Sequence, residues 1–155
     1  MADREADPTR VVADADVLAA DLLVGGPSRE ALDAVRAHSW VDLVASDPLL
    51  ADAVAVIERL AGETLAAAWR ERIERERVAV DQPAGDHPGL ASASRGNAAH
   101  LLTFDETLTS ARTNLSVQPH VALSVRSPDA FARLFDPAAL YEHSHDDPYS
   151  GPDRN

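Results

Sequence analysis

A chain of 155 residues, 45% of them hydrophobic, is sized for one compact domain with its own core. It has no cysteine, which excludes disulfides and thiolate metal sites, and no run of apolar residues long enough for a membrane-spanning helix. The 26 acidic residues stand against 14 basic ones, all arginine, for a net charge of −12, which argues against contact with a polyanion at low ionic strength.

Residues 1–9 read as a polar, acidic tail without the basic start and apolar stretch of a leader, so a cytoplasmic location is expected. Val11 to Ala13 form a short strand that runs into Asp14, and Ala15 to Val24 carry apolar residues at helical spacing. Pro27-Ser28-Arg29-Glu30 opens a second helix with Ser28 as its expected N-cap. Val41 to Ala45 is a second strand. Ser46-Asp47-Pro48 starts a third helix, with an apolar face of Leu49, Leu50, Val54, Ile57 and Leu60 and a stop at Gly62. Thr64 to Arg77 is a charged helix with Glu/Arg pairs at helical spacing, followed by a third strand at 78–80.

A loop at 85–88 feeds a helix over 89–96, and Leu101-Leu102-Thr103 is a fourth strand. Glu106 to Asn114 is helical, Val121 to Val125 is a fifth strand, and Ser127-Pro128-Asp129 caps a further helix. Residues 137–155 read as a loosely held polar tail around a domain at 10–136. Strand alternating with helix implies a mainly parallel sheet covered on both faces, with ligands bound beyond the C-terminal ends of the strands.

Asp14 and Asp16 lie at that edge past the first strand, Asp86 past the third and Asp105 past the fourth. Asp52 interrupts the apolar stretch Leu49 to Val54, a costly place for a charge without a partner. Converging carboxylates repel one another and raise their own pKa values, and a cation relieves this. Oxygen ligands without cysteine suit Mg²⁺ or Mn²⁺, which can activate water and stabilise a leaving oxygen in phosphodiester cleavage. Asp86 and Asp105 also fit simple helix N-caps.

Local sequence patterns add to this. Val11-Val12-Ala13-Asp14-Ala15-Asp16-Val17-Leu18 resembles the first motif of PIN-domain nucleases, and Ser46 to Leu60 resembles the helix carrying their second acid. Gly85-Asp86-His87-Pro88-Gly89-Leu90 resembles the third motif. Leu101-Leu102-Thr103-Phe104-Asp105, followed by Leu108, resembles the strand ending in Thr or Ser, one residue, then Asp. Val121 to Phe135 resembles the closing strand and helix. The similarity spans about residues 10–136. It implies a three-layer α/β/α sandwich with strand order 3-2-1-4-5 and metal-dependent RNA cleavage. Asp14, Asp52, Asp86 and Asp105 would be the metal-binding acids, and Thr103 a hydrogen-bonding support. It also admits an antitoxin or other protein partner and a homodimer. Two departures stand out: Asp52 is where Glu is usual, and Asp16 is where Asn is common.

The lysine-free, Ala-, Val- and Asp-rich composition resembles that of proteins from salt-loving archaea. At molar salt the Debye length is about 3 Å, so an acidic surface repels a polyanion only at contact range. The net charge then does not exclude RNA.

Other readings compete. Asp14-Ala15-Asp16-Val17 also fits the opening motif of haloacid-dehalogenase-type phosphatases, with Asp14 as nucleophile and Asp16 as general acid/base. Those enzymes, like receiver domains, rely on a lysine that this chain lacks. A PIN-like module without metal chemistry is the non-enzymatic alternative. Arg95 and Arg112 are candidate phosphate contacts, and Trp40 and Trp69 read as packing residues.

Overall fold

A computed structural model describes residues 6–81, 87–109 and 123–154. Its five strands are β1 (Asp7–Ala13), β2 (Asp42–Ser46), β3 (Arg77–Val80), β4 (Ala98–Leu102) and β5 (Ser124–Arg126). They form one parallel sheet in the order β3-β2-β1-β4-β5, the order implied by the PIN resemblance. The helices are α1 (Ala15–Leu23), α2 (Gly26–Arg36), α3 (Asp47–Ala61), α4 (Glu63–Glu76), α5 (Pro88–Gly96), α6 (Glu106–Thr109), α7 (Pro128–Leu134) and α8 (Pro137–Ser144). They flank the sheet to give the three-layer α/β/α arrangement. None of them is long and apolar enough to cross a membrane.

Central β1 explains the architecture. Val11, Val12 and Ala13 are all buried, so both faces of the strand are covered, as a parallel sheet requires. Val11 pairs with Leu43 on one side and His100 on the other, and Ala13 pairs with Leu102. Helix α5 packs across β1, β2 and β4. A separate run of contacts joins α1 to α2 and α3, α3 to α4, and α2 to α7.

Helix ends follow local chemistry. Ser46 caps α3 by accepting from Leu49 N–H, and Gly62 at φ 97° ends it in a conformation that costs glycine little. Asn97 at φ 55° ends α5 in the left-handed region, the usual non-glycine choice there. The predicted cap at Ser28 is corrected. Gly25, at φ 83°, holds the cap position of α2, and Ser28 is buried inside the helix. Arg77, read from sequence as the end of α4, opens β3. Its guanidinium donates to Ala45 O at 2.9 Å and pairs with Asp47 and Glu74.

Both tails are shorter than the sequence suggests. β1 already begins at Asp7. Past residue 136 the chain forms α8 and then docks against the turn before β2. His38 is buried there, its Nδ1 2.7 Å from Ala34 O and its Nε2 2.7 Å from the Tyr149 hydroxyl. Ser39 donates through its backbone N–H and its hydroxyl to the Asp153 carboxylate. Trp40 meets Tyr141 and His145 edge-on, and those two rings stack on each other.

Candidate acidic site

Two neighbouring strands deliver the site. Asp14 follows β1, and its N–H donates to Leu102 O at 2.8 Å, extending the β1–β4 ladder by one residue. Thr103 follows β4, and its N–H donates to Arg126 O at 2.9 Å, extending the β4–β5 ladder. Both positions are therefore held by the sheet before any side chain acts.

The side chains then lock together. Asp14 N-caps α1, with Oδ1 accepting Ala15 N–H at 2.9 Å. The Thr103 hydroxyl, fully buried, donates to Asp14 Oδ2 at 2.9 Å and accepts from Asp105 N–H at 3.1 Å. One hydroxyl thus sets the distance between two acids on different strands. Asp105 is exposed, and its Oδ1 accepts Thr107 N–H at the start of α6. Asp16 Oδ2 accepts Phe104 N–H at 3.1 Å, while its Oδ1 is buried and has no hydrogen-bond partner among the described residues. Burial pushes the Asp16 carboxyl above the usual range. The Asp14 and Asp105 charges add to this, and N–H donors from Phe104 and Val17 pull the other way.

Helix α5 brings its N-terminus against the Asp14 carboxylate, a favourable end for a negative charge. Gly89 makes this approach possible, because a Cβ there would lie 3.1 Å from Asp14 Oδ1 and 3.2 Å from Leu101 Cδ1. His87 caps α5 by accepting Gly89 N–H on Nδ1, which leaves Nε2 to carry the proton of the neutral ring. That Nε2 stands 3.8 Å from Asp14 Oδ2.

Asp14, Asp16 and Asp105 close one end of a cleft of about 510 Å³ between α1 and α3. Leu23, Val24, Val56 and Leu60 make its far walls, and Arg59 lines it as well. Asp52 is exposed on α3 and does not line the cleft, although it is one turn before Val56 on the same stripe. Asp86 lies outside the described residues, as does Arg112. Arg95 is in the last turn of α5, about 10 Å along the helix from its start beside Asp14, and so is remote from the acids. Among the described residues, no three of His, Cys, Asp and Glu converge closely enough to hold a metal ion.

Sequence reasoning missed two groups. Asp21 is buried in α1 and takes both Arg36 nitrogens, at 2.9 and 3.0 Å, a link that keeps the Arg36 guanidinium charged. Arg59 was hidden because nothing in its helical pattern separates it from an ordinary solvated arginine.

A family model described as a family of unknown function (DUF7384) matches residues 5–155. No curated protein and no solved structure matches the chain.

Proposed function

The chain belongs to DUF7384, a family that carries no assigned activity, and we propose from the site itself that it is a metal-dependent ribonuclease of the PIN type. The observation that carries this reading is the Asp14–Thr103–Asp105 link at the C-terminal edge of the sheet, with Asp16 beside it. Carboxylates at one sheet edge, one of them with an unpartnered buried oxygen, are donors of the kind Mg²⁺ or Mn²⁺ takes, and Asp86 would have to complete the set. Asp14, Asp16 and Asp105 would hold the ion, with Asp86 assigned by sequence position alone. Asp52 would act only through water.

When bound, such an ion would acidify the attacking water and offset charge on the phosphodiester. The chain's own residues do the rest. The Thr103 hydroxyl and the N-terminus of α5 hold the Asp14 carboxylate in place. Asp14 keeps lone pairs free after accepting from Ala15 and Thr103. With Nδ1 accepting from Gly89 N–H, His87 presents Nε2–H at the rim as a hydrogen-bond donor beside Asp14. A module of the same fold without metal chemistry is the second reading. It is favoured by the lack of three convergent ligands among the described residues.

Calorimetry with Mn²⁺ in molar KCl separates the two. Wild type should bind, and Asp14→Asn and Asp105→Asn should not; cleavage of RNA should follow the same pattern. Absence of binding to wild type would leave the non-catalytic module.

A further inference from the structure

We propose that the cavity between the β4–β5 face and helices α7 and α8 binds a small apolar carboxylate, with the Arg126 guanidinium taking its charge and the Phe131–Phe135 pair its hydrocarbon part. The cavity shares no lining residue with the acidic cleft and does not depend on the nuclease reading.

Arg126 stands apart in this acidic chain. Among the described residues, Arg10, Arg36, Arg70, Arg72 and Arg77 are partly buried and all form ion pairs with carboxylates. Arg126 is partly buried too and forms none. Its guanidinium faces a ring nitrogen instead, with Nη1 3.5 Å from His100 Nδ1. Burial and the Arg126 charge hold the His100 pKa below its ordinary value, so the ring stays neutral and offers no counter-charge. A cation partly withdrawn from water without a counter-charge is costly, and an anion relieves that cost.

The sheet brings both groups to one cavity. His100 pairs with Ser124 and Leu102 with Arg126, so the strand period of two puts His100 and Arg126 on the same face. Phe131 and Leu134 of α7, Phe135 after it and Leu140 of α8 wall a cavity of about 290 Å³ beside them. The Phe131 and Phe135 rings stack with centroids 5.1 Å apart, and His100 meets Phe131 edge-on at 5.5 Å. Ligand pockets run about 300–1,000 Å³, so this one suits a single ring or a branched chain rather than a long tail. The guanidinium fork matches a carboxylate, and the walls match a compact hydrocarbon body. Asp136 also lines the cavity, but it is exposed, and its Oδ1 accepts Ala139 N–H as the cap of α8. In molar salt an exposed charge of this kind is screened beyond about 3 Å.

The test titrates phenylacetate into the full chain in molar KCl and follows the backbone amides by ¹H–¹⁵N NMR. His100, Arg126, Phe131 and Leu140 should shift, with a dissociation constant on the order of 1–10 mM, as so small a ligand allows. Phenylacetamide, its neutral match in shape, should bind about tenfold more weakly, and phenethylamine should not bind. Arg126→Gln should cost about tenfold, and Arg126→Lys should recover part of it. Without ligand, Arg126→Gln should melt close to wild type because it gives up no ion pair, which separates lost binding from lost fold. Asp136→Asn keeps the cap and should bind as wild type or more tightly.

The proposal fails if phenylacetate shifts none of these amides, if acid and amide bind alike, or if Arg126→Gln binds as wild type. It fails too if the shifts fall on Asp14, Asp16 and Asp105 instead. Binding of phenethylamine that Asp136→Asn removes would make Asp136 the anchor and overturn it. So would capture of a peptide ending in a free Phe carboxylate by a chain that ignores phenylacetate.

Discussion

Thr103→Val keeps the side-chain shape and removes one hydroxyl. In the folded chain that hydroxyl donates to the Asp14 carboxylate at 2.9 Å and accepts from Asp105 N–H at 3.1 Å. A hydrogen bond to a charged group contributes about 1.5–3 kcal/mol, and a neutral one about 0.5–1.5 kcal/mol. The Asp14 side chain is 13% exposed, and Asp105 can re-form its bond with water, so both contributions fall toward their lower ends. The expected loss is about 2 kcal/mol, or about 4–8 °C in Tm for a chain of this size. Guanidinium unfolding in molar KCl would measure it. A double-mutant cycle with Asp14→Ala should give a coupling of about 1–2 kcal/mol. If the two changes add to within about 0.5 kcal/mol, the hydroxyl is not what holds Asp14, and the account of the site fails.

Asp16→Asn should raise Tm at neutral pH when no divalent ion is added. The folded carboxyl titrates above its unfolded value of 3.8, so ionised Asp16 opposes folding, and this penalty grows as pH rises through the folded pKa. Thermal melts at neutral pH and below the unfolded value should show the gain shrinking in acid, and the same variant should bind Mn²⁺ less well. Gly89→Ala would press a methyl group on Asp14 Oδ1 and Leu101. It should cost about 1–3 kcal/mol, seen by denaturant unfolding, together with weaker Mn²⁺ binding. Asp21→Asn leaves Arg36 with Asp33 alone and should cost about 3 kcal/mol by the same unfolding assay, the lower end for a broken buried pair because Arg36 is 25% exposed. Tyr149→Phe should cost about 1 kcal/mol and speed proteolysis after residue 144, since it removes the phenol from buried His38.

The sheet order was readable because strands and helices alternate along the chain, and the ends of β1 and β4 carry their acids in plain order. Asp52 shows where that reasoning fails. It interrupts an apolar segment of the sequence, yet the helical period turns Leu49, Leu50, Ala53 and Ile57 inward and leaves Asp52 outside with Ala51 and Ala55. The same signal applied to Leu18-Ala19-Ala20-Asp21-Leu22-Leu23 would have found the acid that is buried. Ser28 lost the cap of α2 because Gly25-Gly26-Pro27 starts the helix earlier, with glycines at positive φ. Docking of the C-terminal segment had no local signature at all. Its central contact joins His38 to Tyr149, 111 residues apart, and only a folded chain brings them together.

The pairing of β1 with β4 also has a consequence in time. Residues that open the domain find one of their two strand neighbours only about 90 positions later in the chain, and Thr103 is held in turn by the carbonyl of Arg126. Closing so long a loop is entropically costly, and parallel pairings of this kind form slowly. During synthesis the acids at Asp14 and Asp16 therefore emerge long before anything positions them. The last third of the chain must leave the ribosome before Asp14 and Asp16 meet Asp105, so a product truncated before β4 would carry two of these three acids and nothing to brace them.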